Sequence, residues 1–188
     1  MILQNNGKDY ESIPLGLHRA VCVNFFDLGF QPGYQGKPPK HECVILWEID
    51  ARKSDGKPFT ITKRYTASLY KKATLGKHLA SWRTRPFTEE EENGFNTDTL
   101  IGVNCQLNIV EIKKDNGDTR AEVDGVLPPP KNLEGRYEWT TMHAETDPTY
   151  TPDWIKEAMS KQLPPPNIEE TRVPATIGPD NPGNDIPF

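Results

Sequence analysis

Residues Phe59 to Trp82 read FTITKRYTASLYKKATLGKHLASW, and within them the hydrophobic spacing changes once. Over Phe59–Tyr65 the apolar Phe59 and Ile61 alternate with Thr60 and Thr62, the period of two expected of a strand rich in β-branched and aromatic residues. After Thr66, Leu75, Leu79 and Trp82 fall at i, i+4 and i+7, with Leu69, Ala73 and Ala80 beside them, which is the stripe of an amphipathic helix. Ser68 is its expected N-cap. A strand is therefore followed directly by a helix, and the elements on either side can be placed around that junction.

Moving toward the N-terminus, Asp55 Gly56 supplies a tight turn and His41–Arg52 (HECVILWEIDAR) a second strand, so the two form a hairpin. Trp47 shares a strand face with Cys43, Ile45 and Ile49 and belongs in the core. Leu17–Leu28 (LHRAVCVNFFDL) alternates as a first strand that Gly29 should end. Between these strands, FQPGYQGKPPK (30–40) is too broken by Pro and Gly to be regular and forms a long loop carrying Phe30 and Tyr34. Toward the C-terminus, Thr88 and Glu91 are spaced as a capping box that opens a short helix, which Gly94 should stop. Val103–Lys113 and Thr119–Leu127 then read as two more strands around the turn Asp115–Asp118. The order is β-β-β-α-β-β. Five strands with a helix between the third and fourth is the order of the OB-fold, a Greek-key barrel that often binds oligonucleotides or oligosaccharides across strands two and three and two flanking loops. The expected fold is thus mainly β: a five-stranded OB-fold barrel, an accessory helix and an acidic tail.

Composition divides the 188 residues unevenly. Residues 1–127 hold 17 basic and 17 acidic side chains while 128–188 hold 5 and 10, so the net charge of −5 lies in the last third. Six of the 18 prolines precede residue 128 and twelve follow it, which limits regular structure there. The expected organisation is a flexible arm over 1–14, the barrel over 15–127, a Pro-rich extension with an amphipathic helix over 128–163, and a disordered acidic tail over 164–188. Thr151 Pro152 opens that last helix, whose apolar side carries Trp154, Ile155, Ala158, Met159 and Leu163 and should dock on the barrel or on a partner. No window approaches the roughly 18 apolar residues of a membrane span, and Met1–Glu11 lacks a charged segment followed by an apolar run, so a soluble protein that is not exported is expected. Cys22, Cys43 and Cys105 are far apart within strand-like segments and should be free thiols in the core. There is no Cys-x-x-Cys pair, and the four histidines lack ligand spacing, so neither a metal nor a cofactor is expected.

The sharpest local feature is charge. Residues 57–87 hold eight cations, Lys57, Lys63, Arg64, Lys71, Lys72, Lys77, Arg83 and Arg85, and no Asp or Glu. Phe59, Tyr65, Tyr70, Trp82 and Phe87 are interleaved with them, so the stretch offers cations for phosphates and ring faces on which unpaired bases can stack. Phe59 and Trp82 suit the core better. Lys63, Arg64, Tyr65, Tyr70, Lys71, Lys72, Lys77, Arg83 and Arg85 are therefore candidate contacts. Phe26 joins them because, of the consecutive Phe25 and Phe26, one must point outward. Tyr34 and Lys113 occupy the loops that flank an OB groove. Catalytic patterns are thin. Asp98 with Glu111 and Lys113 could serve a Mg²⁺-dependent nuclease, but Glu111 and Lys113 read more simply as a solvated strand face. A binder is expected rather than an enzyme, with an RNA-binding or strand-annealing module as the alternative that would use the same groove.

The last four residues, Asp185 Ile186 Pro187 Phe188, make a compact docking peptide, with a ring for a pocket and a free carboxylate for an arginine. This tip resembles the acidic Asp Asp Asp Ile Pro Phe end of bacterial single-stranded-DNA-binding proteins, by which they recruit replication and repair enzymes, although Gly183 Asn184 stands where those have acids. Tyr65 Thr66, Ser68 Leu69, Leu75, Leu79, Ser81–Thr88 and Glu91, together with Leu46–Ile49 and Leu100–Gly102, resemble phage-encoded single-stranded-DNA-binding proteins over roughly 15–127. The resemblance implies an OB-fold, sequence-tolerant coating of single strands during phage DNA replication or recombination, and residence in the cytoplasm of the infected bacterium. It also implies replication or recombination proteins as partners of the tip.

Overall fold

A computed structural model describes residues 11–166. Its elements are β1 (Gly16–Gln31), β2 (Lys40–Arg52), β3 (Pro58–Thr66), α1 (Thr74–Arg83), α2 (Glu89–Gly94), β4 (Asn104–Lys113), β5 (Thr119–Leu127) and α3 (Asp153–Ser160), with short 3₁₀ turns at Tyr34–Gly36 and Thr97–Leu100. The five strands form one antiparallel sheet in the order β3-β2-β1-β4-β5. The architecture is mainly β. Each expected strand is present, and α1 falls between β3 and β4 as the change of period requires.

β1 is longer than its alternation suggests. Register shifts between Cys22 and Asn24 and between Asp27 and Gly29 absorb extra residues as bulges, and Gly29 supplies a positive φ of 66° inside the strand instead of ending it. The strand first pairs with β4 and then continues along β2 to Gln31. The first bulge also reverses which side faces inward. Ala20 and Cys22 lie in the main core with Phe25 packed against it, whereas Val23, Phe26 and Leu28 face the opposite side. The main core gathers Trp47, Ile45 and Ile49 of β2, Ile61 of β3, Leu75, Leu79 and Trp82 of α1, and Leu107 and Ile109 of β4. The three cysteines are buried and free, and burial pushes the thiols of Cys22 and Cys43 up to about 12.

α1 starts later than expected. Ser68 does not cap it; the Ser68 hydroxyl accepts from the Tyr70 amide in the preceding loop, and Ala73 stands at the N-cap without a side-chain bond. The delay has a packing cause. A Cβ on Gly76 would lie 2.6 Å from the carbonyl oxygens of Leu69 and Tyr70, so the loop rests directly on the first turn of α1 at a point where only glycine fits. The capping box of α2 forms as read, with the Thr88 hydroxyl accepting from the Glu91 amide and the Glu91 carboxylate from the Thr88 amide.

The extension is strapped across the outer side of β1, β2 and β4. Arg19 donates to the Thr140 carbonyl at 2.7 Å, the Asn104 side chain binds both the amide and the carbonyl of Met142, and Asn24 donates to the Pro148 carbonyl at 2.8 Å. Glu48, fully buried on the outer side of β2, accepts from the Glu145 and Thr146 amides and the Thr146 hydroxyl. A buried carboxylate is tolerated here because peptide donors replace its water. α3 then sets Ile155 into a second core with Val23, Phe26, Leu28, Val44 and Leu46. The helix ends at Ser160, and Leu163 forms a bridge with Phe30 instead of extending it. No described helix is long and apolar enough to cross a membrane.

Candidate nucleic-acid interface

The end of β3, the loop that follows it and the first turn of α1 enclose a cleft of about 750 Å³. Of the residues singled out in the sequence, Lys63, Arg64, Tyr65, Tyr70 and Lys72 all line it, facing Glu42 of β2 and Glu122 of β5. Strand pairing brings the two carboxylates there. Val44 lies opposite Arg64, so Glu42 is the diagonal neighbour of Arg64 on the same sheet face, and the two form an ion pair. Lys63 crosses to the other edge of the sheet, donating to the Val123 carbonyl at 2.6 Å and to Glu122 at 2.8 Å. Glu122 is held below its ordinary range mainly by this lysine, with Arg120 adding to the effect.

The cations of 57–87 thus divide by context. Lys57 pairs with Asp55, Lys63 with Glu122, Arg64 with Glu42, and Arg83 and Arg85 with Glu91. Lys71, Lys72 and Lys77 are exposed and have no ion pair among the described residues. Tyr70 sits immediately before the first two with 53% of its surface exposed, its ring at the rim of the cleft. An exposed ring beside two unpaired ammonium groups can stack a base and hold the adjoining phosphates, which makes this loop the most competent part of the site.

Other candidates have structural roles. Tyr65 is 3% exposed, with its ring edge-on to His78 at 5.6 Å and its hydroxyl hydrogen-bonded to His78 Nδ1 at 2.9 Å. Burial raises the phenol, and burial together with Lys63 lowers His78. The ring of Tyr65 closes the floor of the cleft. Phe26, expected to point outward for contact, does point away from the main core but is 7% exposed, because α3 covers it. Arg83 packs over Phe87 at 4.4 Å from the ring centroid and over Phe95 at 5.2 Å, which are themselves edge-to-face, and joins Arg85 on Glu91. Those two arginines tie α1 to α2. Lys113 is exposed at the end of β4, opposite Thr119. Tyr34 lies in the 3₁₀ turn between β1 and β2. Asp185, Ile186, Pro187 and Phe188 lie outside the described residues.

The nuclease constellation is not assembled. Asp98 sits in the 3₁₀ turn that leads into β4, while Glu111 is seven residues beyond Asn104, about 24 Å along the strand. Among the described residues no three His, Cys, Asp or Glu side chains gather as a metal site.

The partners Glu42, Glu122 and Glu91 were absent from the sequence-based site. Glu42 had only a partial signal: the Asp55 Gly56 turn pairs its strand with that of Arg64, but counting back from the turn sets Arg64 opposite Trp47, and the register shift between Glu48 and Arg52 is what brings Val44 there and Glu42 alongside. Glu122 had none, because it meets Lys63 only where β3 and β5 approach one another. Glu91 has the clearest consequence. Arg85, then Arg83, then the Thr88 amide bind its carboxylate and pull its pKa from 4.5 to about 2. A depressed carboxylate stabilises the fold above its unfolded pKa and loses that contribution as pH falls toward the folded value. The wild-type melting temperature should therefore fall between pH 4.5 and about 2 with a component that Glu91→Gln lacks. Parallel melting curves for the two proteins across that window would show that Glu91 does not carry it.

Comparison with known proteins finds no matching family model and no matching curated protein.

Proposed function

We propose that this protein binds single-stranded DNA without sequence preference, coating it during phage DNA replication or recombination, and performs no chemistry on it. The observation that carries this reading is the exposed Tyr70 beside Lys71 and Lys72, which have no ion pair among the described residues, at the rim of a cleft that also collects Lys63 and Arg64. Ring faces tolerate any base and ammonium groups follow the backbone, so such a site favours unpaired strands over duplex. In this reading the sheet is an OB barrel. Support comes from the strand order, from α1 between β3 and β4, and from Lys63, which links β3 to β5 across the two sheet edges. The Asp185–Phe188 tip then serves to recruit replication or recombination proteins, and the protein acts in the cytoplasm of the infected bacterium.

The test is fluorescence anisotropy of a labelled 30-nucleotide dT strand, a matched duplex and a matched RNA, titrated with the full chain at several salt concentrations, with and without Mg²⁺. Binding should prefer the DNA strand, weaken with salt by a slope of about 0.7 per phosphate contact, and leave the oligomer intact. Equal affinity for the duplex, or cleavage with Mg²⁺, overturns the proposal. A preference for RNA transfers the site to an RNA-binding function.

A further inference from the structure

At the other end of α1 lies a second cavity, of about 710 Å³, whose walls include Trp82 and Arg83 from the helix and Lys131, Tyr137 and Trp139 from the extension. We propose that a single strand held at the Tyr70 cleft runs along the exposed face of α1 and enters this cavity, where Tyr137 and Lys131 form a second base-and-phosphate subsite. This rests on the proposed single-strand binding and extends it to residues outside the first cleft.

Three features carry the inference. The first is the composition of the cavity. Its charged lining residues are Arg83 and Lys131, and no carboxylate lines it; the neighbouring Glu134 and Glu138 lie outside the lining. Tyr137 is 61% exposed, and the Lys131 ammonium sits 5.0 Å from its ring centroid, so this cavity, like the first cleft, offers an exposed tyrosine and a lysine. A ligand that repeats a flat base and a phosphate can use both pairs, whereas the end of an acidic peptide could use one.

The second is the surface between the two sites. Thr74 lines the first cleft and Thr84 the second, and Thr74, Lys77, Ser81 and Thr84 are all exposed at spacings of three and four, so they form one stripe. α1 contains no acidic residue, and its ten residues span about 15 Å. Lys77, with no ion pair among the described residues, stands in the middle of that stripe. A strand leaving Tyr70 would therefore meet only hydroxyls and an ammonium from α1 itself; of the carboxylates beside the helix, Asp124 lies near His78, and Glu91 is taken up by Arg83 and Arg85.

The third is that the far wall is fixed in place. Arg19 lies 5.3 Å from the Trp139 ring and donates to the next carbonyl, the Asn104 side chain clamps Met142, and the Asn104 carbonyl accepts from Trp82 Nε1 at 2.9 Å. The cavity therefore exists before a ligand arrives, and little ordering is needed on binding.

The experiment compares full-length wild type, Tyr137→Ala with Lys131→Ala, and Tyr70→Ala on dT oligomers of increasing length. Both altered residues of the double variant are exposed, so its melting temperature should match wild type. It should bind the shortest competent oligomer normally, bind a 30-nucleotide strand about 10-fold more weakly, and show a salt slope lower by about 0.7. Tyr70→Ala should weaken binding at every length. Wild-type affinity of the double variant for the long strand, with Tyr70→Ala still impaired, overturns the second subsite and leaves the first. Absence of binding by wild type at any length overturns the proposed function itself. If a synthetic peptide of residues 167–188 perturbs Trp139 fluorescence and the long strand does not, the cavity takes a peptide and the inference fails.

Discussion

Ile155→Ala is expected to lower stability by about 3 kcal/mol and to release α3 from the sheet. Ile155 is the fully buried residue of α3 and belongs to the second core with Val23, Phe26, Leu28, Val44 and Leu46, against which Ala158 also packs. Truncating a buried isoleucine costs about 2–5 kcal/mol, with higher values where the surroundings cannot close around the void. Here the neighbours are strand residues fixed by pairing on both sides of β1 and β2, so collapse is limited. Urea unfolding should show a lower midpoint, and limited proteolysis should cut within 140–163 faster than in wild type. Glu48→Ala acts on the same strap by another route: the Glu145 and Thr146 amides and the Thr146 hydroxyl lose a charged acceptor, and hydrogen bonds to charged groups contribute about 1.5–3 kcal/mol. Its signature is early cleavage near Glu145. An unfolding midpoint and a cleavage pattern unchanged in Ile155→Ala would mean that α3 does not stay docked in solution. Phe26 would then be exposed and open to the contact role that its place in the sequence suggests.

Tyr70→Ala combined with Lys71→Ala and Lys72→Ala should give the largest loss of binding. Stacking on one ring contributes about 1–3 kcal/mol per base, so Tyr70→Ala alone should weaken single-strand affinity roughly 30-fold. Each lysine removed should lower the salt slope by about 0.7. The fold should be untouched, because Tyr70 is half exposed and its backbone bonds, from its amide to the Ser68 hydroxyl and from Ala73 to its carbonyl, do not involve the ring. Tyr65→Phe offers the contrast: it removes only the buried hydroxyl that meets His78, and it should alter stability more than affinity. If the Tyr70 triple variant binds as wild type while Tyr65→Phe does not, the cleft loop is not the interface.

The pH behaviour of Glu91 and the strap at Glu48 share a physical basis with the candidate site. In each place a carboxylate is stabilised by donors outside its own element, near in sequence for Glu91, which takes Arg83, Arg85 and the Thr88 amide, and distant for Glu48 and Glu122. The same pairing that fixes the architecture therefore removes Arg64, Arg83 and Arg85 from the pool of unpaired cations and leaves Lys71, Lys72 and Lys77 in it.

Features that depend on near neighbours are legible in the sequence. Alternation located all five strands, the spacing of Leu75, Leu79 and Trp82 located α1 and its buried face, Thr88 and Glu91 located the start of α2, and the face shared by Cys43, Ile45, Trp47 and Ile49 identified core. These follow from rotation per residue and from bonds within one turn, which the chain carries locally. The folded arrangement settles which cations are unpaired among the described residues, because Glu42, Glu122 and Glu91 reach Arg64, Lys63 and Arg83 through register and packing. It also decided that Phe26 is covered, since that required α3, more than 120 residues away, to dock on the outer side of β1, and that Tyr65 is a floor and Tyr70 a rim. Exposure and charge pairing are properties of residues that meet after folding, and no local period encodes them.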